Sequence, residues 1–485
     1  MTQQTNEPVL RLDLFYIFYA VVATITLLGL TWGAASHEEL WPIIGIFCGT
    51  ASLLVIGSLR LIGLSWVSGP IVYLAFLWVF HFPFLFLASL HTAFLDLQPS
   101  FIQQWALTGT WYEAGLFSVL CVTAFAVGTA ATMSARYARI EPAEAERPPW
   151  NDDLLWRLGL IETVVGSGMV LYAIMLSGGV VVFTQSYKSH FDDLFAANAF
   201  VYGIMLVTQG VVFAALGVSQ RTVKRILVYM AVFTSVMLLL GARTDGLAPI
   251  LLLVVALHKR GIRIPRWLLV VGLVPLLWTI SFVGAARLEG VLGSGQDVAS
   301  SASPVKALME LGGSLETVSL SFQWIRGGDP LLLGGGYWLP FERAIGFVVP
   351  EVRQDLTYDP RAMSEILVSR THGLGGSGVA ESYYNFGLLG AIIFFFPLGY
   401  LIGRLDWADT PRSTAWFVAI LLPLIIDVRN WFLSAPAMIF VAVLPLVIIE
   451  LIRPGPRPAA IGHTGWMQSD PPLHITSLLK SEGQQ

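Results

Sequence analysis

RAMSEILVSRTHGLGGSGVAESYYNFGLLGAIIFFFPLGYLIG, residues 361–403, is the stretch on which the fold of this chain turns. A polar, glycine-rich, arginine-bearing loop ends here, and an apolar run of membrane length begins at once. Arg370, His372, Glu381, Tyr383, Tyr384 and Asn385 fall within sixteen residues, directly against that run. Charged and hydrogen-bonding groups are costly at a bilayer boundary unless something there needs them. The junction therefore reads as the working site, and the run after it as a membrane span.

Composition agrees. The 485 residues are 55% hydrophobic and only 12% charged, with a mean hydropathy of +0.70. Soluble domains carry roughly 25% charged residues. Apolar segments fall at 13–33, 40–59, 69–94, 113–134, 154–176, 198–218, 226–241, 246–257, 266–285, 384–403, 414–430 and 436–452. The expected fold is thus all-α and polytopic, with about 12 transmembrane helices. A formal net charge of −4 leaves no footprint for nucleic acid. Cys48 and Cys121 both sit inside apolar runs, which argues against a disulfide framework or a thiolate metal site. The first apolar run is too long for a cleaved signal peptide and reads as a retained anchor.

Basic residues set the orientation. Arg11, Arg60, the Arg136/Arg139/Arg147 loop, Arg221/Lys224/Arg225, Lys259 to Arg266, Arg404, Arg453 and Arg457 share one side if both termini are cytoplasmic. Residues 1–286 would then hold nine spans with short loops, and residues 381–452 the last three. Residues 287–380 form one large periplasmic loop, of a length that is usually functional. Within it, Pro304–Ile325 spaces Val305, Leu308, Leu311, Leu315, Val318 and Phe322 as an amphipathic helix on the outer membrane surface. The Pro-rich stretch 453–485 reads as a disordered cytoplasmic tail. The loop Gly178–Ala197, with Tyr187, Lys188, His190, Asp192 and Asp193, falls on the periplasmic side.

Five groups of residues are candidates for chemistry. The turn GARTDG, Gly241–Gly246, joins two segments of only about 12 to 16 apolar residues, so Arg243 and Asp245 sit below the outer surface. Arg243 either faces an anionic group such as a phosphate or pairs with Asp245 to cap a helical hairpin. The loop arginines mostly pair with the more numerous Asp and Glu, while Arg353 and Arg370 are placed to clamp a pyrophosphate near the membrane re-entry. His372 and Glu381 compete for the role of general base; the bland alternatives are a turn residue and a first-turn acid favoured by the helix dipole. Tyr383, Tyr384 and Asn385 either hydrogen-bond a sugar or anchor the span at the interface. Asp427, Arg429 and Asn430 close the eleventh segment, where Arg429 either converges with Arg243 or snorkels to the surface. Arg157 and Glu162 read as structural partners, and His81 as a packed histidine. No Walker loop, HExxH or metal-spaced Cys/His cluster occurs, so no cofactor and no metal are expected.

The order of these features resembles the Wzy-type polymerases, which extend O-antigen or exopolysaccharide repeat units. The resemblance rests on a Gly-x-Arg turn (Gly241–Arg243) and a loop segment GGGYWLPFERAIGFVVPE. It also rests on the re-entry Glu381-Ser-Tyr383-Tyr384-Asn385-Phe386-Gly387-Leu-Leu-Gly390, and covers roughly residues 225–430. One departure is the outer-loop arginine followed eleven residues later by glycine in some members, a spacing no arginine of residues 287–380 has. The resemblance implies a GT-C-like, metal-independent glycosyltransferase of the bacterial inner membrane. Its substrates would be undecaprenyl-pyrophosphate-linked oligosaccharides, with the lipid bilayer, a chain-length regulator and a flippase as partners. Arg243 and Arg429 would offset pyrophosphate charge, and Glu381 or His372 would take the acceptor proton. Two other readings stand beside it: a ligase that moves finished glycan to another acceptor, and a 12-span flippase or transporter. Transporters show internal repeats and midplane sites, which this chain lacks; its polar groups gather at one face.

Overall fold

The computed structural model describes residues 7–33, 37–91, 94, 109–138, 152–183, 198–218, 220–240, 242–262, 275–283, 303–349, 359–371, 375–408 and 410–452. Those residues form helices and turns, with no strand among them. They comprise α1 (Glu7–Thr31), α2 (Trp41–Leu61), α3 (Gly69–His81), α4 (Pro83–Leu90), α5 (Gly109–Ala138), α6 (Asp153–Leu176), α7 (Asn198–Gly217), α8 (Gln220–Leu239) and α9 (Arg243–Lys259). After these come α10 (Pro304–Leu311), α11 (Leu315–Arg326), α12 (Gly335–Val348), α13 (Met363–Arg370), α14 (Gly378–Phe386), α15 (Phe396–Leu405), α16 (Pro411–Asp427) and α17 (Ala435–Ile452).

Local chemistry sets the ends of these helices. Asp152 caps α6 by accepting from the Leu154 and Leu155 amides. Thr410 and Ser413 close a reciprocal capping box on α16, with Pro411 in the first turn where its missing N–H costs nothing. α3 stops at His81 because Pro83 follows; α4 sets off at 55° to it. Among the described residues, seven helices are long and apolar enough to cross a membrane, or up to nine if each of two bent pairs is one span. Of the twelve apolar segments expected, those at 246–257 and 414–430 form the 17-residue helices α9 and α16. The segment at 266–285 is described only over 275–283. The chain is an all-helical, multi-pass membrane protein.

The tenth segment departs from expectation. It does not start as a straight span: Gly378–Leu389 and Ala391–Leu405 are turned 118° from each other. Gly387 enters the bend with φ +61, a conformation costly for any side chain. Gly390 lets the chain fold back, since a Cβ there would stand 2.2 Å from the Ser382 carbonyl oxygen. A π-turn over Ala391–Phe395 then leads into α15. The short α14 is therefore turned out of line with the rest of the span and is buried inside the protein.

Glycine zippers assemble the bundle, as small residues do wherever lipid supplies no hydrophobic drive between helices. Gly159 and Gly166 of α6 face Gly210 and Gly203 of α7, Gly217 lies against the Trp156 backbone, and a Cβ at Gly159 would lie 2.3 Å from the Ala214 amide. Likewise α15 crosses α5 where a Cβ at Gly399 would lie 2.0 Å from the Phe125 carbonyl oxygen. Thr129 adds a hydrogen bond to the Gly399 carbonyl at 3.1 Å. α5 is the central post, with Phe117, Cys121, Phe125 and Ala130 all fully buried. α1, α6 and α8 expose apolar faces such as Leu14, Ile17 and Val21 or Ile161, Val164 and Leu171. Such stripes fit lipid and would be costly in water.

Two expectations are corrected by packing. Arg157 and Glu162 are not partners: both Glu162 carboxylate oxygens are buried without a hydrogen bond, between Gly159 and Gly166 on the buried side of α6. Pro304–Ile325 is two helices joined by a 3-10 turn at Gly312–Ser314, and its apolar side is covered by protein. Leu311, Leu315, Val318 and Phe322 are buried, Phe322 stacking on Tyr383 at 3.7 Å and meeting Phe117 edge-on at 6.0 Å. Arg326 locks α11 to α5 through Glu113 at 2.6 Å.

The far ends of these helices form a separate polar cluster. Lys259 at the end of α9 meets Asp406 at 3.2 Å, and Asp406 also accepts the Gly69 amide at the start of α3. Arg412 binds Asp152 at 2.7 Å. The body just described ends at Leu446; the last turns of α17 begin a second, smaller unit whose residues after 452 lie outside the described set.

Candidate active site

The site is built on the first two turns of α14. Ser377 caps the helix, accepting from the Ala380 amide at 3.2 Å. His81, at the proline break of α3, holds that cap. Its Nδ1 donates to the Leu77 carbonyl at 3.0 Å, leaving Nε2 to accept from the Ser377 hydroxyl at 2.8 Å. The packed histidine is thus a positioning group for α14.

Glu381 lies one turn into α14, 2% exposed, and its Oε2 accepts the Phe432 amide at 2.8 Å. Gly378, at the start of α14, sits across from the last residue of α16, Asp427. A Cβ on Gly378, one turn before Glu381, would lie 3.3 Å from both the backbone oxygen and Oδ2 of Asp427. Glycine is needed still more at 376, where a Cβ would meet the Asn430 carbonyl at 2.6 Å. The glycines at 375, 376 and 378 thus let this run lie close along the turn 427–431, while the Ser377 side chain caps α14. That close approach is what the described glycines permit.

Asp427 is 3% exposed, and its Oδ1 has no hydrogen-bond partner. Glu381 and Asp427 interact electrostatically. The ring of Tyr337, from the first turn of α12, is gripped by Phe394 at 4.8 Å and Phe432 at 4.9 Å. Its hydroxyl is buried without a hydrogen-bond partner, within electrostatic reach of both carboxylates. Three elements therefore bring two carboxylates and a phenol into one water-poor place. Buried polar atoms without a hydrogen-bond partner are costly, and sites of chemistry are one place where they occur.

Beside this pair stands Arg429. Its guanidinium lies 5.3 Å from the centre of the Phe80 ring, and its charge acts on Asp245 in the first turn of α9. The structure so brings the GARTDG turn and the end of α16 together. Arg243 opens α9 two residues before Asp245; its side chain, like His372 and Arg353 as whole residues, lies outside what is described. The acids and base of the loop at 184–197 also lie outside it.

Other expected ligands have structural work. Asn385 is fully buried: its Oδ1 accepts the Gly336 amide at 3.1 Å, and its Nδ2 donates to the Glu381 carbonyl at 2.9 Å. It braces α12 against α14. Tyr384 donates to Asp329 at 2.7 Å, and Arg370 reaches the same carboxylate oxygen at 2.5 Å while lying 5.0 Å over the Trp324 ring. The Arg370 guanidinium, helped by the Tyr384 hydroxyl, holds the Asp329 carboxyl below the usual carboxylate range. Arg361 binds Glu342 through two nitrogens at 2.8 and 3.1 Å and also Asp359. The described loop arginines pair with acids. Sequence reasoning missed Tyr337, whose only signal was its place in the loop segment of the resemblance, and gave Asp427 no role. Among the described residues no group of three or more His, Cys, Asp or Glu side chains could hold a metal ion.

A multi-span helical protein with a buried, sharply turned helix carrying a buried acid is the class this geometry defines. The chain matches the family model described as O-antigen polysaccharide polymerase Wzy over residues 16–453. It belongs to that family, and its role is that of a glycosyltransferase-type polymerase of surface polysaccharide. Protein CapE of Staphylococcus aureus is 21% identical over 336 residues, which cover 68% of this chain and 74% of CapE. No solved structure matches the chain.

Proposed function

We propose that the chain joins polyprenyl-pyrophosphate-linked oligosaccharide repeat units at the periplasmic face of the inner membrane, with both termini cytoplasmic. A growing chain on one carrier is moved to a hydroxyl at the non-reducing end of another carrier's unit. The observation that carries this reading is the buried pair Glu381 and Asp427, set beside Arg429 and the α9 turn.

The acceptor oxygen forms a bond to the anomeric carbon of the donor as that carbon's bond to the pyrophosphate oxygen breaks. The bonding electrons leave on the pyrophosphate. Glu381 takes the acceptor proton; its Oε2 is fixed by Phe432, so the carboxylate is aimed before substrate arrives. Asp427 sets the charge state of Glu381 and, with Tyr337, gives the proton a neighbouring site to move to. Arg429 and Arg243 offset the charge of the leaving group without requiring a metal, guanidinium being matched to phosphate oxygens. The alternative base is His372.

The test is elongation by purified full-length protein in lipid nanodiscs, supplied with polyprenyl-pyrophosphate-linked repeat units and a chelator. A ladder of linked units is expected with metal removed. Transfer of preformed glycan to another acceptor without any ladder would make the chain a ligase, and no transfer at all would remove the enzymatic reading.

A further inference from the structure

We propose that α12 and the strap Leu331–Leu333 before it are inserted in one leaflet of the bilayer, with lipid acyl chains as the partner of their apolar face. This is independent of which glycan the protein handles.

The exposed side of α12 is the wrong kind for water. Trp338, Phe341 and Ile345 are 59%, 45% and 45% exposed, and their spacing of three and four residues puts them on one face. The Trp338 and Phe341 rings lie side by side, 5.9 Å between centres. Leu333, just before the helix, is 77% exposed and holds φ +50, the only non-glycine residue with positive φ among those described. An apolar side chain turned outward by a strained backbone is a double cost in water. In a leaflet the first of these costs becomes a gain.

The opposite side of the same helix is pinned to the protein, so the face cannot rotate inward. Gly336 donates to Asn385, Leu333 donates to the Asn385 carbonyl at 2.8 Å, and Tyr337 is stacked on Phe386 and Phe394. Charges mark the flank: Glu342 is bound by Arg361, and Arg343 by Glu365 at 2.8 Å. An interfacial helix keeps such groups at headgroup level while its aromatic residues go deeper.

What names lipid as the occupant is continuity. Leu331 lies against Gly387, and the neighbouring Leu388 and Leu389 are exposed. The exposed strip continues through Ile392, Ile393, Phe396 and Tyr400 of the span that α15 completes. Phe394, on the same turn as Ile392 and Ile393, is the ring on which Tyr337 stacks. The face of α12 is thus an extension of a lipid-facing surface, laid beside the buried carboxylates.

Nitroxide labels on Trp338→Cys, Phe341→Cys, Ile345→Cys and, as the flank control, Arg343→Cys test this in nanodiscs with the full-length protein. Cys48 and Cys121 are fully buried, so labelling is confined to the introduced thiols. Collision with dissolved oxygen relative to a water-soluble nickel chelate is expected to be several-fold higher at 338, 341 and 345 than at 343. Three substituted positions guard against one poorly folded variant. Preferential collision with the nickel chelate at all three would overturn the proposal. So would shielding from both reagents, which would mean that protein covers the face.

Discussion

The carboxylate of Glu381 accepts the backbone amide of Phe432 at 2.8 Å, which ties the buried helix α14 to the turn that follows α16. One bond thereby sets both the position of the acid and the closure of the site between two distant segments. That double duty suggests a substitution that separates them.

Glu381→Gln keeps an oxygen to accept from Phe432 but cannot take a proton at neutral pH. Membrane abundance and thermal midpoint should stay near wild type, while elongation falls by roughly 10²- to 10⁴-fold, the usual worth of a positioned base. Full-length polymer from this variant would pass the base role to His372.

Asp427→Asn tests the second acid. Two buried like charges repel, so removing one leaves the thermal midpoint in detergent unchanged or raises it. Elongation should fall by about 10²-fold or more if Asp427 shares the proton of Glu381. A lowered midpoint with an unchanged glycan ladder would reduce Asp427 to a structural residue.

The glycine run makes a contrast of neighbours. Gly376→Ala puts a methyl group 2.6 Å from the Asn430 carbonyl; backbone must move, at a cost of about 1–3 kcal/mol, and the strand of loop carrying Ser377 moves with it. Gly375→Ala meets Arg429 at ordinary contact distances, its side chain at 3.5 Å and its carbonyl oxygen at 3.9 Å. The first variant should lose stability and activity together, the second neither. Equal behaviour of the two, read by thermal midpoint and ladder length, would refute this account of the run.

Burial pushes the Glu316 carboxyl, at the start of α11, up to about 8. A carboxyl raised in this way binds more protons in the folded state, so its contribution is favourable at low pH and is lost as pH rises from the ordinary glutamate range to about 8. Glu316→Gln should therefore match wild type near pH 5 and exceed it in thermal midpoint at pH 8. A difference that does not grow with pH would show that the side chain is hydrated.

Membrane class was legible in the chain because it depends on one-dimensional quantities. Runs near 20 apolar residues and a scarcity of charge act locally. The same holds for Glu381 and Arg429 as candidates, since an ionisable residue beside a span stands out in any reading. Glycines that bring α6 onto α7 were present at seven-residue intervals, yet their meaning depends on which helix lies opposite.

Tertiary structure alone decided how the junction at 361–403 is used. An apolar run reads the same whether it crosses straight or is turned by 118°, because hydropathy carries no direction. Asn385 looked like a sugar ligand until its amide was found between Gly336 and Glu381, and Asp427 looked like a helix end until it stood beside Gly378. Composition and period fix which residues leave water. Which of them then meet is set by contacts across more than forty positions of chain, such as Glu381 with Phe432, 51 residues apart, and only packing selects those.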